Sequence, residues 1–209
     1  MRALGFAFAF ALATPAFAET DWARGLVTAE GLGLADRHAP TPAVAREPAR
    51  RMAESAARKQ LAAQLPALPL ATGGTLKAKL GDKQLAAQIA EAVEAAITLE
   101  AIPHTDGSWN VTLAVPIEAV RVALAGPRKP TAADEDPAVI VVESVKAKPA
   151  IGYTVGGIAA PTVWSKDVPE WAKDAPRVKA KGTRPGAIDL AAPSAPQGGP
   201  ATLFVLLVK

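Results

Sequence analysis

Apolar and polar residues alternate in "GLVTAEGLGL", Gly25 to Leu34, where Val27 and Ala29 are set against Thr28 and Glu30. Period-two spacing predicts a strand, loosened at its end by Gly31 and Gly33. The period then changes. Ala49, Met52, Ala53, Ala56, Ala57, Leu61 and Leu65 recur at three- and four-residue steps, with Arg50, Arg51, Glu54, Arg58 and Lys59 on the opposite face. This predicts an amphipathic helix that begins after the prolines Pro40, Pro42 and Pro48 and is stopped by Pro66. "GGTLKAKLGD" alternates Leu76, Ala78 and Leu80 as a short strand, and Asp82 is placed to cap a second helix over Lys83 to Ala92 with Leu85 and Ile89 inward.

Alternation returns at Val93, Ala95, Ile97, Leu99 and Ala101, and again at Trp109, Val111, Leu113 and Val115. A two-residue Asp106-Gly107 turn would set the apolar face of one strand against the polar face of the other. A three-residue loop, Thr105-Asp106-Gly107 with Gly107 left-handed, instead pairs Ala101 with Val111, Leu99 with Leu113 and Ile97 with Val115. "PIEAVRVAL", Pro116 to Leu124, reads as a closing helix. "AVIVVESV", Ala138 to Val145, reads as a continuous apolar strand, "IGYTVGG" and "PTVW" as shorter ones, and Leu203 to Val208 as a last. These elements predict an α+β fold: a small sheet with two helices packed on one face over residues 19–126, then a linker at 127–137 and a smaller, mostly β domain over 138–209. Residues 176–200, rich in Pro, Gly, Ala and Ser, are expected as loop or disordered chain.

Composition sets the address. "MRALGFAFAFALATPAFA" carries Arg2, an apolar run from Ala3 to Ala13, Pro15, and small residues at Ala16 and Ala18. This is a secretory signal over residues 1–18 with cleavage after Ala18, and it places the mature chain in the periplasm or outside the cell. Its apolar run is too short to span a bilayer, and no transmembrane segment is expected in the mature chain. The absence of cysteine removes disulfides, thiolate metal sites, cysteine nucleophiles and the acylated cysteine of a lipoprotein. Export makes nucleic acid an unexpected partner, although the full chain carries a net charge of +3.

Candidate chemistry is sparse. Gly31 and Gly33 resemble a phosphate loop at first sight, but Asp36 stands where a dinucleotide fingerprint has its third glycine, and the helix arrives late. His38 and His104 are the only imidazoles, too few without thiols to predict a metal site. Ser55, Ser144 and Ser165 have no histidine near them in sequence, and Asp134, Glu135 and Asp136 fall in the linker, where catalytic carboxylates cannot be held at a fixed separation. No catalytic residue, cofactor or metal ligand is therefore expected. A binding surface has better candidates: Arg50, Arg51, Arg58 and Lys59 on the first helix for an anionic envelope polymer, and Trp164 with Trp171 as a platform for sugar rings or a protein.

"WARGLVTAEGLG" at Trp22 to Gly33, "ARRMAESAARKQL" at Ala49 to Leu61 and "DGSWNVTLAVPI" at Asp106 to Ile117 follow one another in the order seen in a known group. In them the chain resembles the LPP-twenty family, named for a twenty-kilodalton membrane-associated lipoprotein, and the similar amino-terminal domain of flagellar assembly protein T. The resemblance implies a small α+β domain exported to the cell envelope, with envelope or flagellar proteins as partners and no catalytic residues to carry over. The family's lipoprotein cysteine has no counterpart here. The expected function is that of a non-enzymatic envelope protein acting by contact, with binding of an anionic or sugar-containing envelope polymer as the alternative.

Overall fold

The computed structural model describes residues 19–125, 138–191 and 202–208, so the signal expected at 1–18, the linker expected at 127–137 and the stretch 192–201 lie outside the described residues. The fold is α+β, with a four-stranded sheet and a curled seven-stranded sheet. Short β1 (Glu19–Asp21) pairs with β2 (Leu26–Gly33), and helix α1 (Pro42–Gln64) follows. A 3₁₀ turn at Leu76–Lys79 precedes α2 (Lys83–Glu94). Then come β3 (Ile97–Pro103), β4 (Trp109–Pro116) and α3 (Ile117–Ala125). The sheet is antiparallel throughout, in the order β1-β2-β4-β3. Val27 and Ala29 of β2 and Val111, Leu113 and Val115 of β4 turn one apolar face toward α1 and α2, whose Ala53, Ala57, Leu61, Leu85 and Ile89 close the core.

Gly31 and Gly33 decide how near α1 comes to that sheet. A Cβ built at Gly31 would stand 1.9 Å from the Ala53 carbonyl oxygen, and one at Gly33 would stand 1.7 Å from that of Ala49. Facing glycines and alanines let helix backbone rest on strand backbone, which compensates for a core short of aromatic bulk. Both glycines face the middle of α1 and not its amino terminus, so the backbone donors of a nucleotide cradle are not presented to them.

α1 begins earlier than its prolines suggest. Thr41 caps it by accepting from the Val44 N–H, Pro42 sits in the first turn where no amide bond is lost, and Pro48 removes only the bond to the carbonyl of exposed Val44. Met52, expected inward, is exposed; the buried stripe is Ala45, Ala49, Ala53, Ala57 and Leu61. Leu76 to Leu80 form a tight turn in place of the expected strand, with Leu76 fully buried. Val93 and Ala95 belong to the end of α2, and β3 starts only at Ile97.

The hairpin keeps the three-residue loop. Gly107 has φ +89°, the His104 N–H donates to the Ser108 carbonyl at 2.8 Å, and Ala101 faces Val111. Beyond Glu100 a bulge takes up Leu99, so Thr98 faces Leu113 and Ile97 faces Ala114, one residue out of the expected register. Period-two arithmetic holds only while the ladder is continuous, and here the ladder breaks.

The second sheet has β5 (Val139–Val145), β6 (Thr154–Val155), β7 (Ile158–Ala159), β8 (Thr162–Ser165), β9 (Arg177–Arg184), β10 (Ala187–Leu190) and β11 (Leu203–Val208), in the order β7-β6-β10-β9-β5-β11-β8. Residues 177–190, expected as loop, thus make a hairpin inside this sheet. Their composition is polar because β9 is mostly exposed, and the edge-on backbone ladder with parallel β5 supplies what apolar patterning does not. Ile140, Val142, Phe204, Leu206 and Trp164 form the core of this part.

The two sheets meet along a bonded seam. Trp22 packs against both cores, and its carbonyl accepts from the Trp164 N–H at 2.9 Å. The Ala71 N–H donates to the Ile151 carbonyl and the Gly186 N–H to the Ala71 carbonyl, each at 2.8 Å.

Candidate functional site: an open sheet edge

β3 forms the outer edge of the first sheet, and all seven of its residues are exposed. An edge strand carries a row of backbone donors and acceptors with no neighbour, and proteins ordinarily shield such rows with charge or a covering loop. β3 has one charged residue, Glu100, and three large aliphatic ones, Ile97, Leu99 and Ile102. Ile97 and Ile102 lie on the face turned away from α1, opposite Ala114 and Asn110. On the same face Leu32 of β2 is also exposed and pairs with Asn110 from the other side. α1 and α2 take the other face of the sheet; on this side Ala114 is fully buried, while Ile97, Ile102 and Leu32 stay exposed.

The end of this edge is held rigid. The Asp106 carboxylate accepts from both the Ser108 N–H at 2.9 Å and the Ser108 hydroxyl at 2.6 Å. The Ser108 side-chain bond, chiefly, holds the Asp106 carboxyl below the usual aspartate range, with a smaller contribution from His104. This is a Ser–Asp–His grouping that sequence spacing does not single out, and it is arranged as a turn lock. A nucleophilic serine gives its proton to an imidazole, whereas the Ser108 proton points to a carboxylate that lacks a base's affinity for it. Trp109, next along β4, lies under the Arg50 guanidinium, 5.7 Å from its ring centre.

The candidate surface residues are scattered. Arg50 pairs with Glu54 at 3.0 Å, Arg51 with Glu47 at 3.0 Å, and Arg58 with both Glu54 and Glu94. Acidic neighbours one helical turn away therefore cancel most of the basic stripe, and Lys59 is left as an exposed cation beside it. Trp164 is 3% exposed, edge-on to Tyr153 in the second core, while Trp171 is 57% exposed. The two do not form a common platform, because the alternation along β8 turns Trp164 inward. Burial raises the Tyr153 phenol above its ordinary value, so it stays a neutral hydroxyl.

His38 and His104 stand apart on exposed loops, the Asp36 side chain bonding only the His38 backbone N–H. Among the described residues no group of three His, Cys, Asp or Glu could hold a metal ion, and no helix is long and apolar enough to cross a membrane. No protein-family profile matches the chain, and no curated protein matches it.

Proposed function

We propose that this is a non-enzymatic protein exported to the cell envelope, periplasmic or secreted, which works by protein contact through the β3 edge. The observation that carries the reading is the full exposure of β3 with its three aliphatic residues. The resemblance to the LPP-twenty family and to the amino-terminal domain of flagellar assembly protein T, together with the export signal, supports an envelope or flagellar setting.

The occupant is an extended strand of a partner protein, added beside β3 by backbone hydrogen bonds with alternate side chains against Ile97 and Ile102. Glu100, the lone charge on the edge, selects a basic residue opposite it. A second copy fits less well. Antiparallel self-pairing centred on Glu100 opposes two carboxylates, and centring it on Leu99 sets bulge against bulge.

Photo-crosslinking groups placed at Ile97 and Ile102 in the producing cell should yield one discrete protein adduct, with none from an equivalent group at exposed Lys77. Ile102→Lys should reduce the adduct, and deletion of the protein should impair envelope integrity or motility. Equal labelling from β3 and Lys77, with unchanged integrity and motility on deletion, would overturn the reading.

A further inference from the structure

The seam between the sheets holds two cavities of about 270 Å³ each. Arg121, Ile151 and Gly152 line both, so the two cavities share Arg121 in their walls. Arg121 is 6% exposed. Its Nε and Nη2 donate to Glu118 Oε2 and Oε1 at 2.7 and 2.6 Å, a two-point clasp made across one turn of α3. The Nη1 side of the fork has no hydrogen-bond partner among the described residues. Nη1 is not among the buried atoms that lack a partner, so the free side of the fork is open to an anion entering the cleft.

The surroundings define that anion. Arg24 lines the first cavity and Lys79 the second, so each cavity has a second cation beside Arg121, and Glu118, in the first, is the one carboxylate that lines either. The remaining walls are largely apolar, with Ile117, Pro161, Val163 and Leu203 in the first cavity and Leu70 and Leu124 in the second. A polar end and an apolar body are required together. Glu118 stands against the same guanidinium and disfavours a dianion such as a phosphate monoester, whose second charge has no buried counterpart.

We propose that this seam binds a single small amphiphile with a carboxylate head. The carboxylate is taken by the free side of Arg121, and the alkyl chain lies on Ile117, Ile151 and Val163. Each cavity is near the lower end of the size of small-molecule sites, roughly 300–1,000 Å³, which favours a short or medium chain over a membrane lipid. Such a site is independent of the β3 edge and of any partner bound there.

Octanoate, 1-octanol and octyl phosphate, titrated into the whole chain by calorimetry and thermal shift, test the assignment. Octanoate should bind one to one and raise the unfolding temperature, with octanol at least about tenfold weaker by the loss of one charge-assisted contact and octyl phosphate weaker too, because its second charge meets Glu118. Glu118→Gln should tighten octanoate several-fold, because it frees the guanidinium and removes the opposing charge. A merely structural ion pair predicts the opposite, lower stability with octanoate binding unchanged. Arg121→Gln should abolish binding. Since that change also breaks a buried pair, Val163→Phe, which fills the first cavity from a half-buried wall, serves as the second variant and should block octanoate with the fold intact. Equal binding of octanoate and octanol, no response to millimolar octanoate, or unchanged binding in Val163→Phe would overturn the proposal.

Discussion

A methyl group at Gly31 or Gly33 would have to enter helix backbone, at 1.9 Å from the Ala53 oxygen or 1.7 Å from the Ala49 oxygen. Backbone cannot rotate out of the way as a side chain can, so α1 would have to move off the sheet. Gly31→Ala and Gly33→Ala should each cost about 1–3 kcal/mol or more, read as a lower denaturant midpoint. Gly81→Ala, which meets nothing within 4 Å, should have a far smaller effect. Asp106 offers a pH test. Its carboxyl is held below the ordinary value of about 3.9, so the ionised form is favoured in the fold and contributes stability above that pH. The contribution is lost as pH falls through the lower native value. Asp106→Asn should therefore be less stable than the parent at neutral pH, and the two midpoints should converge in acid. Sequence spacing placed Gly31 and Gly33 on a strand and Gly107 in a left-handed turn, because these follow from local backbone rules. It did not show that the first two glycines face the middle of a helix, since the approach of α1 depends on residues 20 or so positions away.

Elements differ in how much of them chain-local signals can reveal. α2 and β11 have their apolar period, and α2 its capping Asp82, written into adjacent residues, and both form where expected. α1 begins at Pro42 and not after Pro48, because tertiary packing of Ala45 and Ala49 outweighs one missing amide bond. Removing its cap by Thr41→Ala should cost about 1 kcal/mol. β3 presents the reverse case: its alternation suggested a strand half-buried against the core, yet it is exposed along its whole length. Ile102→Lys should change stability by no more than about 0.5 kcal/mol, whereas Leu113→Ala on the neighbouring β4, fully buried, should cost about 2–5 kcal/mol by the same denaturant titration. That contrast is what an edge kept open for a partner requires. β9 and β10 escaped notice because the signal that makes them strands is pairing with β5 and β6, not apolar alternation.

At the scale of the whole molecule, Trp22 and four backbone bonds tie one sheet to the other. Trp22→Ala should lower stability by about 2–3 kcal/mol, somewhat below the cost at a fully buried aromatic. Hydrogen exchange should show protection falling together in β2 and in β11, as one cooperative unit. Protection lost in β2 alone would mean that the sheets open separately. The seam also makes the Arg121 cavities, which no single stretch of sequence contains: their walls come from Arg24–Leu26, Leu70 and α3 of the first part and from Ile151–Gly152 and the start of β8 in the second.

The sequence alone determined the α+β class, the helical and strand periods of most elements, the three-residue hairpin loop and the absence of thiol chemistry, all properties of neighbouring residues or of composition. Tertiary structure alone decided which apolar residues stay exposed, that Trp164 is core and Trp171 is surface, that the arginines of α1 are paired, and that Arg121 borders empty space. These depend on which distant elements come to lie against one another, and period and propensity carry no record of that.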